Sequence, residues 1–178
     1  MSPLFVGRPE NGEGREMKEM AVYDLLDRLA ISYTRVDHAP AATMEDCLAV
    51  EAILGTAICK NLVLTNRQHT AYYLLLMPGD KPFKTKDLSE QIGSARLSFA
   101  SPEEMERLLG TAPGSASVLG LANDLEREVA LLIDKDILAA DRIGAHPLVN
   151  TSSLGIAVRD ILDVFLPAVG HTYQSVAL

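Results

Sequence analysis

Hydrophobic positions along the chain change period several times, and each change marks an element. From Met17 to Ile31 apolar side chains fall at Met20, Tyr23, Leu26, Leu29 and Ala30, a helical spacing with one stripe to bury. Tyr33 to Val36 alternates as a short strand, ended by His38, Ala39 and Pro40. Thr43 then stands as the N-cap of a second helix, with Asp46 in the place of a capping-box glutamate, running to Leu54 before Gly55. Ala57 to Thr65 and Ala71 to Met77 are apolar, β-branched or aromatic runs separated by five polar residues, which predicts a hairpin. Thr85 to Ile92 reads as a helix closed by Gly93, and Arg96 to Phe99 as a brief strand. Ser101-Pro102-Glu103-Glu104 has the cap, the N1 proline and the acidic first turn of a helix ending at Gly110.

After a stretch rich in Gly, Ser and Ala, strands are expected at Glu128–Ile133, Ile143–Pro147 and Thr151–Ala157, and a closing amphipathic helix at Arg159–Ala168. Residues 1–17 have no period and read as a flexible N-terminal arm, residues 18–171 as one domain, and residues 172–178 as a C-terminal tail. Helices and strands interleave without a strict βαβ rhythm. The expected fold is therefore α/β in an α+β-like arrangement, a central mixed, largely antiparallel sheet flanked by helices.

Composition narrows the class. With 178 residues, 48% of them hydrophobic and 22% charged, the chain has the make-up of a single globular domain that needs no metal or disulfide staple. The longest apolar stretch, near Ala71 to Met77, is far short of the ~20 residues of a membrane helix, and Met1 to Lys18 lacks a secretory apolar core. The expectation is a cytoplasmic protein with no membrane partner. Cys47 and Cys59 suit a reducing compartment, and nothing in the sequence requires them to pair.

The net charge of −8 opposes long-range attraction to phosphate, but it is unevenly spread. Between Lys60 and Arg96 six cations face three anions, a local +3 that leaves −11 for the remainder. That strip suits a protein that grips one end of a nucleic acid, and equally an ordinary solvated helix face. The acidic pI of about 4.9 and the lack of a readable recognition helix argue against duplex DNA.

Few residues invite chemistry. No two of His38, His69, His146 and His171 lie three to five apart, and there is no Cys-x-x-Cys, so no metal or other cofactor is expected. Lys60 interrupts an apolar strand, where alternation puts Lys60 and Leu62 on one face and Cys59 and Asn61 on the other. Such a lysine sits either on a wet sheet face or beside a ligand. Pro113-Gly114-Ser115 forms a turn followed by small residues through Ser117. It lets backbone amides approach a carbonyl or an oxyanion, or simply joins helix to strand. His146 precedes the polar run Asn150-Thr151-Ser152-Ser153, where it could orient a substrate or satisfy loop carbonyls. Ser98, Ser101, Ser115 and Ser117 lack a nucleophile elbow, which sets covalent serine catalysis aside.

Taken in order, Cys59-Lys60-Asn61-Leu62, Leu97 to Ser101, Leu109 to Ser115, Gly120 to Asp124, His146 to Thr151 and the Phe165-Leu166 helix ahead of Gly170-His171 form a recognisable series. The chain resembles the stand-alone prolyl-tRNA editing proteins of the YbaK/ProX type, relatives of the editing domain inserted in bacterial prolyl-tRNA synthetase. The likeness spans about residues 18 to 171.

The resemblance implies a deacylase for mischarged tRNA(Pro), above all Ala-tRNA(Pro), with tRNA as partner and prolyl-tRNA synthetase as a second candidate partner. It implies Lys60, Gly114 and His146 as catalytic residues and Asn61, Ser115, Ser117, Asn150 and Thr151 as substrate-binding ones. Lys81, Lys84, Lys86 and Arg96 become the candidate tRNA contacts. In the Gly114 loop Val118 stands where the family pattern has proline, which predicts a looser loop. Two alternatives stay open: a deacylase for Cys-tRNA or another small aminoacyl-tRNA, and a non-catalytic module that binds tRNA or a small ligand.

Overall fold

The computed structural model describes residues 2–41 and 44–178; the Thr43 cap lies outside the described residues. Nine strands form two sheets among these residues. The first sheet has the order β1-β2-β8-β7 and is antiparallel throughout: β1 (Leu4–Val6), β2 (Tyr33–Asp37), β8 (Ser152–Ala157) and β7 (Arg142–Ala145). The second has the order β5-β3-β4-β6-β9: β5 (Leu97–Phe99), β3 (Lys60–Asn66), β4 (Tyr72–Met77), β6 (Val129–Asp134) and β9 (Tyr173–Val176). Its β5-β3-β4 part is antiparallel, whereas β4-β6 and β6-β9 run parallel. The fold is the mixed, largely antiparallel α/β domain expected, with its strands divided between two sheets.

Alternation along β3 and β4 gives the second sheet two apolar faces. Val63, Leu74, Leu76, Leu131 and Ile133 join the main core with α1 (Met17–Arg28), α4 (Pro102–Leu109) and Phe165. Leu64, Leu75, Met77 and Leu132 point the other way, onto Leu88 of α3 (Thr85–Ile92). Both strands are therefore hydrophobic on consecutive positions, as strands covered on both faces must be. The sheets meet where Ile58 bridges Gly144 in parallel. A Cβ on Gly144 would lie 2.8 Å from Ile58 Cγ1 and 2.9 Å from its Cα, so only glycine permits this crossing.

Helix ends follow their sequence signals. Ser101 Oγ accepts from the Glu104 amide at 3.1 Å while Glu104 Oε2 accepts from the Ser101 amide at 2.8 Å, a complete capping box. Helix α2 (Met44–Leu54) rests Val50 and Leu54 on Val36 and Ile58.

Four elements differ from the sequence reading. The expected arm carries β1, paired to β2, and the expected tail carries β9, paired to β6. β1 is three exposed residues and β9 buries only Val176, so neither leaves an apolar period to read. A short α5 (Lys135–Leu138) starts where Asp134 accepts from the Asp136 amide at 2.8 Å. The closing helix is interrupted: α6 (Val158–Asp160) passes into a π turn at Ile161–Phe165 and then α7 (Leu166–Val169). Pro167, which cannot donate a backbone hydrogen bond, accounts for that wider turn.

Candidate functional site

Lys60 opens β3 opposite Met77, so its side chain lies on the α3 side of the sheet, as alternation predicts, with Asn61 on the main-core side. It is half-buried, and its Nζ donates to the Lys81 carbonyl at 2.8 Å. An ammonium has three donors, so two remain for a ligand. At this end of the sheet the β3 lead-in, the Pro78-Gly79-Asp80 turn, His146 and the α2 residues Cys47, Leu48 and Glu51 enclose a cavity of about 390 Å³. Glu51 also ties α2 down, accepting from the Ile58 amide at 2.8 Å.

His146 reaches this cavity from the end of β7. Its Nδ1 donates to the Ser152 carbonyl at 3.0 Å, which fixes the tautomer and leaves Nε2 with a free lone pair. Burial holds its pKa below the usual imidazole range; the Ser152 bond opposes that shift and nearby His38 adds to it. The ring is therefore neutral at pH 7. The two imidazole centroids are 6.4 Å apart, and the Ser153 hydroxyl lies between them, 2.9 Å from His38 Nε2 and 3.4 Å from His146 Nδ1.

Behind His146 is a chain of charge. Ser152 Oγ donates to Asp37 Oδ1 at 3.0 Å, and Asp37 is bound by Arg15 at 2.6 Å and by Arg35 at 3.2 Å. Burial raises the Asp37 pKa, but Arg15 and Arg35 outweigh it and hold the carboxyl below the ordinary range. Arg15 also pairs with buried Glu19, whose carboxylate accepts from Tyr23 Oη at 2.8 Å. Sequence reasoning missed Asp37, His38, Ser152 and Ser153 as site residues. The available signal was Arg35 and Asp37 on one face of a strand that has to be buried.

The other sequence candidates are dispersed. Asn61 is spent within the protein: its Oδ1 accepts from the Val118 amide at 3.1 Å and its Nδ2 donates to the Cys59 carbonyl at 3.1 Å. Val118 therefore fastens its loop to β3 rather than loosening it, through a donor that a proline would lack. Gly114 sits at the exposed tip of that loop with φ +88°, away from the cavity lining. Ser115 is buried, its hydroxyl bonded to Thr111 and Ala112 inside the turn. Ser117 caps the short 3-10 helix Val118–Asn123 by accepting from Leu119.

Asn150 and Thr151 lie in the turn before β8, outside the cavity lining, and the Thr151 carbonyl accepts from the His38 amide at 2.9 Å. The Lys81 ammonium is paired with Asp134 at 2.9 Å and Asp136 at 2.8 Å, whereas Lys84, Lys86 and Arg96 are exposed. Both free cysteines line the cavity, and burial pushes the Cys59 thiol up to about 12. Among the described residues no group of three or more His, Cys, Asp or Glu side chains could hold a metal ion, and no helix is long and apolar enough to cross a membrane.

Residues 38–164, which carry Lys60, Asn61, the Gly114 loop and His146, match the family model of the aminoacyl-tRNA editing domain. The chain belongs to this family. As an aminoacyl-tRNA editing protein it is a deacylase, a hydrolase of the ester that joins an amino acid to tRNA. It is 31% identical over 160 residues to "Prolyl-tRNA editing protein ProX" of Acetoanaerobium sticklandii, covering 90% of this chain and 97% of that one. It is 30% identical over 150 residues to "Prolyl-tRNA synthetase associated domain-containing protein 1" of Mus musculus, covering 82% and 88%. Among solved structures, a candidate trans-editing enzyme for prolyl tRNA synthetase superposes with a TM-score of 0.68 at 18% identity, over 92% of this chain and 97% of that one. That structural likeness speaks for the fold.

Proposed function

We propose that this deacylase acts in trans on mischarged tRNA(Pro), with Ala-tRNA(Pro) as its substrate. The observation that carries the reading is the shared cavity: the Lys60 ammonium and a neutral His146, distant in sequence, line one hollow beside a family-matched scaffold. The identity to an editing protein named for prolyl-tRNA supports the choice of tRNA.

An aminoacyl ester is already activated, so its hydrolysis asks for positioning and charge stabilisation more than for a strong nucleophile. In this mechanism the two unused N–H groups of Lys60 hold the 3'-terminal adenosine and the ester oxygens. His146 Nε2 accepts a hydrogen bond from the attacking water and orients it. Water oxygen bonds to the acyl carbon, the bond to the ribose oxygen breaks, and that oxygen leaves as a hydroxyl. The free amino acid departs as a carboxylate, with one proton released. The Gly114 loop contributes indirectly, by fixing Asn61 and hence the start of β3. Ile58, Pro78 and Gly79 form the wall that would meet the amino-acid side chain, and rejecting the larger proline ring there is the easy direction for steric discrimination. On this reading prolyl-tRNA synthetase, the source of such a mischarged substrate, is the candidate partner, and the cytoplasm the candidate site of action.

Release of labelled amino acid from Ala-tRNA(Pro), Pro-tRNA(Pro) and Cys-tRNA(Pro) tests the reading. Loss of alanine alone is the expected result. Loss of cysteine alone would keep the mechanism and move the specificity, and no loss from any of the three would refute the proposal.

A further inference from the structure

Phe99 is 61% exposed, the most open of the exposed aromatic side chains, against 38% for Phe5 and 42% for Tyr173. Phe5 is covered on one side by the Arg35 guanidinium, 4.6 Å above its ring. Phe99 meets only the edge of Phe83, with centroids 6.4 Å apart and planes at 67°. Phe83 packs on the α3-side core, and Phe99 pairs in register with Leu64, which belongs to that core. Partners in a ladder share a face, so Phe99, Phe83 and Lys60 lie on the same side of the second sheet. Lys60 and Leu64 are four residues apart on β3, about 13 Å along the strand.

Lys84 follows Phe83 in the chain, and Arg96 precedes Phe99 by three residues. Lys84 and Arg96 are exposed and make no ion pair among the described residues. Lys86 and Arg96 border an open hollow of about 730 Å³ with Ser89 and Ser94. Of the nearby acids, Glu90 pairs with Lys86 at 3.7 Å and Glu104 with His69 at 2.6 Å, whereas Asp87 and Glu103 are exposed. An exposed ring face beside unpaired cations is the arrangement that binds single-stranded nucleic acid, the ring stacking a base and the cations following the phosphates.

We infer that Phe99, seated on Phe83 and flanked by Lys84 and Arg96, is the stacking platform for an unpaired base next to the tRNA 3' end. The inference rests on the deacylase reading above and adds a second contact to it. With the terminal adenosine at Lys60, three steps at the stacked rise of about 3.4 Å span about 10 Å, and a slightly extended strand covers about 13 Å, so the base that reaches Phe99 is the unpaired one three steps from the 3' end.

The test compares wild type, Phe99→Ala and Phe99→Trp in two assays. One is equilibrium binding of an oligoribonucleotide hairpin ending in four unpaired nucleotides, the last three of them CCA. The other is deacylation of Ala-tRNA(Pro) beside the alanyl ester of adenosine alone. Phe99→Ala is expected to weaken hairpin binding and raise KM for the tRNA about 5- to 100-fold. Its kcat and its rate on the alanyl adenosine ester should stay at wild-type values, and Phe99→Trp should restore binding. Unchanged hairpin affinity in Phe99→Ala overturns the inference. So does an equal loss on both substrates, or a change in sedimentation that assigns Phe99 to contacts between copies of this chain. A wild type that binds the hairpin through Phe99 but deacylates nothing would refute the substrate reading and leave the platform standing.

Discussion

The two halves of the site are held by different forces. Lys60 stands on a sheet packed with apolar side chains on both faces, where Leu74, Leu75 and Met77 are completely buried. His146 is set by the first sheet, where Arg15, Glu19, Arg35, Asp37 and Ser152 form a connected polar system beside the Val36–Val50–Leu54–Ile58 contact. Apolar burial has no charge to titrate and responds little to moderate concentrations of simple salt, whereas an ion pair is screened as salt rises and is lost as the pH falls through the pKa of its carboxylate. One half of the site is thus anchored non-directionally and strongly, and the other is aimed by groups with definite geometry and a dependence on solution conditions.

The contrast can be broken most forcefully from the apolar side. Leu74→Ala should lower stability by about 2–5 kcal/mol in urea denaturation, with the same loss at low and high salt. Lys60→Ala should leave the circular dichroism spectrum unchanged and reduce deacylation about 10²- to 10³-fold, the cost of removing a charged donor from a reacting ester. Retention of activity would remove Lys60 from the mechanism. His146→Ala should give a partial loss, on the order of 1–3 kcal/mol in kcat/KM. Because burial depresses its pKa, wild-type activity should fall off on acidification at a lower pH than an unperturbed imidazole would give, as a pH profile of kcat/KM would show.

Asp37→Asn sharpens the comparison with the smallest expected effect, about 1 kcal/mol at pH 7 for a partly exposed ion pair. The folded-state pKa of Asp37 is lowered, so its stabilisation is present above the unfolded value near 4 and vanishes as the pH falls through the depressed one. The gap between wild type and Asp37→Asn, measured by urea melts, should close below that range, whereas the Leu74→Ala gap should not.

Much of the fold was legible because its elements bury regular stripes. Helix α3 coincides with the Thr85–Ile92 pattern, and the Ser101–Glu104 signature forms the capping box it suggests. β1 and β9 were not legible, since an edge strand gains its stability from ladder bonds that any residue except proline can make. Lys60 and His146, polar groups that interrupt an apolar context, were legible as candidates, and the fold brings both to one cavity. Asn150 and Thr151 lie outside that cavity, and their neighbours Ser152 and Ser153 make the contacts with His146. A run of four similar polar residues carries no mark of which ones face inward; only the pairing of β8 with β2 settles it.

The Val118–Asn61 bond ties a surface turn to the slowest-opening part of the molecule. Amide protons exchange with solvent only when their hydrogen bonds open, and core strands open last. Val118 belongs to no ladder, yet its amide should exchange at the tempo of β3 rather than of the Gly114 tip four residues away. Asn61→Ala should release that single proton to fast exchange while the amides of Leu64 and Leu74 stay protected. The turn would then register, as a deuterium clock, whether the end of the strand bearing Lys60 is locked or breathing.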